Sequence, residues 1–442
     1  MKTSLSALIA ALAVPVLLST TALAQPEMFQ DSGISVSAPV FEGTEKPAAT
    51  PKIPPPAELQ KKADAGDAGA MRDIGLFYRN SRDNDWVVAH QWFVKAAEKG
   101  DTAAQYYAGR DFWWSHGVPH DAKAAQAWLE KAAAADNTQA QALLGQILKD
   151  GEKDTPAVTI IAPDPARART LLKQAAEKGN MDAEYSLAVS YMSEPAEESQ
   201  KAGFALLEKA AAHGDVLAQR KLGQLYYSGE TGGGVDLVKS REYFEKAAVR
   251  GDIIAQYFLG RYYELGKGVD MNGAKAAEWF RKVDLQEDPV DENEETQVNL
   301  LMGAQLRLGV LYRDGTGVKK DLAEAARWFA RAARTGSPAA QVHLAEAYEN
   351  GAGVPQDKIK AYLWYGLGAG ENGSPFPPDN SEKTGVAEAK AGIARIEKTM
   401  KPEEIAAAKQ TLVDEERALQ QIYNAHYRMA TATGGNWMIY PP

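Results

Sequence analysis

Metal binding and proton transfer both draw on histidine, and the chain holds six: His90, His116, His120, His213, His343 and His426. Only His116 and His120 stand close together, in His-Gly-Val-Pro-His beside Trp113 and Trp114. Imidazoles at i and i+4 converge when the segment between them is helical. Gly-Val-Pro is turn sequence, so the pair reads as a surface turn and no metal ligands are expected. The chain has no cysteine, which excludes a thiol nucleophile, thiolate metal sites, disulfides and a lipidated cysteine anchor. Neither Gly-x-Ser-x-Gly, His-Glu-x-x-His nor a phosphate loop occurs. The run Gly232-Gly233-Gly234 lies between two helical patterns and follows no strand, so it is an expanded turn and not a nucleotide cradle. No catalytic or cofactor-binding residue is therefore expected. Acid–base work by unmarked Asp and Glu pairs stays open, because such pairs assemble in space and leave no trace in spacing.

The ends of the chain set the compartment. Lys2 precedes an apolar run from Leu5 to Leu18, and the small-residue triplet Ala22-Leu23-Ala24 follows before Gln25. That order is a secretory signal peptide cleaved after Ala24. The run is shorter than the roughly 20 residues a bilayer span needs, and no later stretch is apolar enough, so no transmembrane segment is expected after cleavage. A signal peptide in a chain without cysteine points to a bacterial periplasmic or secreted protein. Residues 25–56, with Pro26, Pro39, Pro47, Pro51, Pro54, Pro55 and Pro56, read as a disordered tether. A formal net charge of −10 argues against nucleic acid and anionic membrane surfaces as partners.

From about residue 66 to 370 one pattern recurs. The anchors are Ala70, Ala104, Ala140, Ala183, Ala218, Ala255, Ala304 and Ala340. Four positions on comes Leu or a small apolar residue, five on Gly or Ala, and eight on an aromatic or Leu, as in Ala255, Leu259, Gly260 and Tyr263. Residues at i, i+4 and i+8 share a helix face. Glycine costs roughly 1 kcal/mol in a helix, so it must be repaid by another helix packing close. A second pattern follows each first one: a bulky pair, two residues, then Ala-Ala, as in Trp92-Phe93 with Ala96-Ala97 and Trp328-Phe329 with Ala332-Ala333. Gly100, Gly179, Gly214, Gly251 and Gly336 close this second helix. Gly-x-Gly-Val fills the turn at 266–269, 315–318 and 351–354. A helix–turn–helix unit repeating in this way is a solenoid, because one pair cannot bury its apolar face alone.

The combination Ala-x3-Leu-Gly-x2-Tyr, Gly-x-Gly-Val and Trp-Phe-x2-Ala-Ala resembles the Sel-one-like repeat, a relative of the tetratricopeptide repeat. The resemblance implies an all-α fold, a right-handed α/α superhelical solenoid of about eight repeats with a concave groove. It also implies a scaffold or adaptor role. In the tetratricopeptide register, positions two, six and nine after each anchor face the groove. Carried onto this chain, they give Tyr106, Arg110 and Trp113, then Tyr185 and Met192, Arg220 and Tyr227, and Tyr257 and Arg261. Arg, Tyr and Trp dominate binding hot spots. The partner expected is a protein or peptide, bound by a monomer in the periplasm, in an envelope signalling or polysaccharide-export assembly. Two other classes stay open: a cell-wall enzyme of the penicillin-binding or β-lactamase-like type, and a carbohydrate-binding module, since aromatic platforms also stack on sugars. The absence of cysteine sets the chain apart from the cysteine-rich members that the enzyme reading rests on.

The solenoid is assigned to 57–373 and a helical cap with its tail to 374–442, with helices near 382–399 and 402–430. Two insertions break the period. Val158-Thr159-Ile160-Ile161 reads as an extended apolar segment that packs on the solenoid or offers an edge for strand addition. Asp284, Glu287, Asp288, Asp291, Glu292, Glu294 and Glu295 read as a solvated acidic loop.

Overall fold

The computed structural model describes residues 54–81, 85–155, 158–230, 233–285, 294–370, 383–415 and 417. The segments expected to be a signal peptide and most of a tether, acidic residues 287–293, and the tail with Trp437 and Tyr440 lie outside the described residues. A leading helix, α1 (Ala57–Asp64), precedes the repeats. Chain contacts divide the protein into two compact units, with the boundary between Leu222 and Gly223.

The unit ending at Leu222 contains α2 (Ala68–Arg79), α3 (Trp86–Glu98), α4 (Thr102–Trp113), α5 (Ala122–Ala134), α6 (Thr138–Asp150), α7 (Pro165–Glu177), α8 (Met181–Met192) and α9 (Glu197–His213). The boundary falls inside α10 (Val216–Ser228). The other unit contains α11 (Leu237–Val249), α12 (Ile253–Leu265), α13 (Gly273–Asp284), α14 (Glu294–Asp314), α15 (Leu322–Arg334), α16 (Pro338–Asn350), α17 (Lys358–Ala369) and α18 (Lys383–Glu397), with one more helix over 402–415. Within each unit, a repeat's first helix packs on its second, and the second packs on the next first helix. Neighbouring first helices also touch directly: α4 with α6, α6 with α8, and α12 with α14. The architecture is an all-α helical repeat solenoid.

Four local devices recur through the repeats. The first is a cap: Asp67, Asp101, Asn137, Asn180, Asp215, Asp252 and Ser337 each accept a hydrogen bond from the anchor alanine's backbone N–H. That satisfies a donor which a helix start would otherwise leave open.

The second is the glycine beside the leucine. A Cβ added at Gly75 would lie 2.6 Å from the Phe93 ring, and one at Gly260 would lie 2.4 Å from the Phe280 ring. Gly109 and Gly145 meet Leu129 and Leu172 at 2.8 Å in the same way. The second helix thus drives its large side chain into the notch that the missing Cβ leaves. The fourth repeat exchanges the roles: Ala188 stands on the first helix, and Gly203 on the second approaches the Ala188 carbonyl, with an added Cβ only 2.7 Å away.

The third device is the glutamine after the anchor. Gln105, Gln141, Gln219, Gln256 and Gln341 donate through Nε2 to Ala97, Ala133, Ala211, Ala248 and Ala333, at 3.1–3.4 Å. These carbonyls lie at the end of the preceding helix and each also accepts one backbone N–H, from Gly100, Asp136, Gly214, Gly251 and Gly336, so the glutamine fills the second acceptor position. The fourth is the second glycine of the turn. An added Cβ at Gly353 would lie 2.1 Å from the Leu322 carbonyl, at the start of the preceding repeat's second helix, and Gly268 and Gly117 approach Leu237 and Trp86 in the same way.

The insertion at 151–163 forms a two-stranded antiparallel hairpin, β1 (Glu152–Thr155) and β2 (Val158–Ile161). Ile161 is buried and Ile160 half-buried against the apolar cluster of the second and third repeats. After the last repeat, Ile393 and Ile396 of α18 and Leu412 of the 402–415 helix join Tyr362, Leu363 and Tyr365 in one core, which closes the end of the stack.

Candidate protein-interaction surface

The first helices carry the residues whose register suggests binding. On α4, Tyr106 is half-buried against the cluster around Leu143 and Leu144, and burial pushes its phenol above the usual tyrosine range. Trp113 packs on the same cluster, and its carbonyl lies 2.7 Å from His120 Nδ1. Arg110 directs Nη2 to the Asp111 carboxylate at 2.6 Å while its guanidinium lies 5.1 Å over the Tyr107 ring. Arg79, from the preceding repeat, lies 4.8 Å over the same ring. Two cations thus flank one aromatic, an arrangement favoured by the negative face of the ring.

Asp111 is fully buried and draws three groups from separate elements: Arg110 of α4, His90 of α3 with Nδ1 at 3.5 Å, and His116 of the following turn with Nδ1 at 3.7 Å. Burial opposes the carboxylate charge, but His116, His90 and Arg110 together outweigh it and hold Asp111 below the usual carboxylate range. His116 also stacks on Trp86, 4.6 Å between centroids. The two histidines of His-Gly-Val-Pro-His therefore part company: His116 turns to Asp111, and His120 reaches Glu152 at 2.8 Å. Among the described residues, no group of three His, Asp or Glu could hold a metal ion.

Further along this unit, Tyr185 and Arg220 are half-buried. Gln146 of α6 donates to Ser186 of α8 at 2.8 Å, linking neighbouring first helices. Met192 lies against Gly203 of α9, where an added Cβ would meet its Cγ at 2.7 Å. Its side chain is part of the packing inside its own repeat, a consequence of the exchanged small residues there.

In the unit from Gly223, Lys267 donates to the Tyr227 hydroxyl at 3.0 Å and lies 5.2 Å over its ring, while Phe258 meets that ring edge-on at 5.6 Å. Tyr257 faces Gly303 of α14, where an added Cβ would sit 3.0 Å from the phenol oxygen. Arg261 pairs with Glu264 at 2.5 Å, and Arg307 approaches the same carboxylate at 3.8 Å. Of the sequence-derived residues, Tyr106, Arg110 and Trp113 share one helix and Tyr257 and Arg261 another. Tyr107, Arg79 and Arg307 join them, and the sequence register did not single these out. Arg79 occupies position nine of the first repeat, so reading every repeat in that register would have found it.

A family profile described as "Sel1 repeat" matches residues 68–101, 102–137, 138–180, 182–215, 216–252, 253–282, 303–337 and 338–372. The Sel1-repeat-containing protein YjcO of Escherichia coli is 34% identical over 142 residues, which is 31% of this chain and 57% of YjcO. The chain thus matches little more than half the length of that relative. The DAP3-binding cell death enhancer 1 of Rattus norvegicus is 28% identical over 42% of this chain and 35% of its own length. A solved Sel1 repeat protein from Oxalobacter formigenes is 25% identical, covering 83% of this chain and 96% of that one, with a TM-score of 0.47.

Proposed function

Since the chain belongs to the Sel1 repeat family, whose repeats generally serve as protein-interaction scaffolds, we propose that it is an exported adaptor that binds a protein or peptide along its first-helix face. The observation that carries this reading is the pre-set arginines. Arg79 and Arg110 are held over Tyr107, and Arg261 and Arg307 beside Glu264. Side chains already fixed by neighbours lose little entropy when a partner arrives, and Arg with Tyr is hot-spot chemistry. Export to the periplasm rests on the signal sequence ending at Ala24. There the adaptor would serve an envelope signalling or polysaccharide-export assembly.

The test is affinity capture from the native host with the purified protein and its Arg261→Ser variant. Arg261 retains 27% side-chain exposure, so its loss should leave the fold intact by circular dichroism. A partner retained by the native protein and by Lys246→Ser, but lost with Arg261→Ser, supports the reading. Equal retention by all three rejects it. Sequencing the mature N-terminus from a periplasmic fraction tests the export claim: it should begin at Gln25.

A further inference from the structure

The seventh position after each anchor alanine carries a charge in the second repeat alone. Ile147, Leu225, Tyr262, Leu311 and Ala347 occupy it as buried side chains, and Phe77 and Ser190 also leave it uncharged. In the second repeat it is Asp111, fully buried. A buried ion pair adds little stability over an apolar side chain of similar volume, and the sister repeats fold without one. The turn that follows departs as well. Ser115, with φ 59°, takes the left-handed place that Gly266, Gly315 and Gly351 fill in sister turns, and His116 comes next. Such strain gathers where a site needs it.

Arg110 and His116 approach the same oxygen of Asp111. Arg110 donates to Oδ1 through Nε at 3.2 Å and Nη2 at 2.6 Å, and His116 Nδ1 stands 3.7 Å from it. His90 Nδ1 stands 3.5 Å from Oδ2. These two imidazole nitrogens and Oδ2 make no hydrogen bond, so neither imidazole is fixed to the carboxylate. His116 keeps 36% of its side chain exposed and is within reach of solvent. Facing it are Asp111 from α4, the Trp86 ring from α3 and the Trp114 ring from its own turn. Arg110 in turn lies over Tyr107, with Arg79 of α2 over the same ring. With neutral imidazoles the charges of Arg110 and Asp111 sum to zero, and a proton on His116 leaves the cluster positive. That charge arrives at the oxygen which holds Arg110, so it weakens the hold and frees the guanidinium for a carboxylate from outside. Histidine is the side chain whose charge changes near neutrality.

We propose that Arg79 and Arg110 receive an acidic side chain of the bound protein or peptide, and that the His90–Asp111–His116 cluster makes this contact tighter as pH falls. The proposal rests on the first-helix face being the binding face. Two guanidiniums from neighbouring helices over one ring set the sign of the ligand, because a carboxylate pairs with them in the planar, charge-assisted way that arginine favours. Binding it then favours uptake of a proton, which fixes the direction of the pH dependence.

The probe is a capped, rhodamine-labelled peptide of alternating glutamate and alanine, with a glutamine–alanine peptide as control. Fluorescence anisotropy on the chain from Gln25 onward should show the glutamate peptide binding more tightly than the control. Its Kd should fall at least about threefold between about pH 7.5 and about pH 6. Arg79→Gln should remove the preference for glutamate. His116→Phe keeps a ring beside Trp86 and should flatten most of the pH response at the weaker affinity. His116→Arg carries a fixed charge and should bind tightly at both pH values, a gain that misfolding does not produce. Equal affinity for the two peptides, or a pH response that His116→Phe and His116→Arg both leave unchanged, overturns the proposal. Arg261 lies in the other unit, so a partner still lost with Arg261→Ser would keep the adaptor reading while this inference fell.

Discussion

Replacing Gly260 with alanine puts two opposing effects in one side chain. On helix propensity alone, Gly→Ala inside α12 should stabilise by about 1 kcal/mol. The new Cβ, however, would stand 2.4, 2.6 and 2.9 Å from three carbons of the Phe280 ring. That ring is fully buried between α12 and α14, so it has no solvent-side escape. Overpacking of this kind costs about 1–3 kcal/mol. Subtracting the propensity gain leaves a net loss of up to about 2 kcal/mol. Urea denaturation followed by far-ultraviolet circular dichroism should show a lower midpoint, with Phe280→Leu in the Gly260→Ala background recovering part of it. Leucine is the residue that meets Gly109 and Gly145 in the second and third repeats. The double-mutant cycle should therefore show coupling between positions 260 and 280. A Gly260→Ala variant more stable than the native chain would refute the close-approach account of the Leu-Gly signature.

The buried Asp111 offers a test by pH. Its folded-state pKa is depressed, so its contribution is fully present above the unfolded carboxylate value and is lost as pH falls through the folded one. The denaturation midpoint of the native chain should fall on acidification with a steeper slope than that of Asp111→Asn, and matching slopes would contradict the assignment. At neutral pH, Asp111→Asn should cost about 3–5 kcal/mol, because Arg110, only 12% exposed, loses its partner. Gln256→Leu removes the bond to the Ala248 carbonyl and should cost about 1 kcal/mol by the same denaturation assay. Asp252→Ala removes the cap on α12 and should cost about 1 kcal/mol, whereas a change within error would show the cap to be redundant.

The repeat was legible because its signals are local. Anchor alanine, leucine and aromatic fall on one helix face by counting alone, and the glycines closing the second helices adopt the left-handed conformation, φ 92° at Gly100 and 98° at Gly336. The glutamine clamp was visible as the recurring Ala-Gln pair, but its meaning lies in a carbonyl eight residues earlier. The hairpin was half legible. Val158–Ile161 has strand composition, whereas its partner Glu-Lys-Asp-Thr is polar and has none. The Asp111 cluster gathers His90, Arg110 and His116 from two helices and a turn, and no spacing announces such a meeting. Groove positions taken from a related register name a face of the first helices. They cannot say which side chains neighbouring helices already occupy, as Gly303 shows for Tyr257 and Gly203 for Met192.

The central claim is that the first-helix face holds a protein. A photoreactive amino acid at Tyr257, with the same label at exposed Lys246 of α11 as control, tests it in living cells. One defined protein captured from position 257 and not from 246 is the expected result. A correctly folded, correctly exported chain that captures nothing from 257, or the same set from both positions, would contradict it.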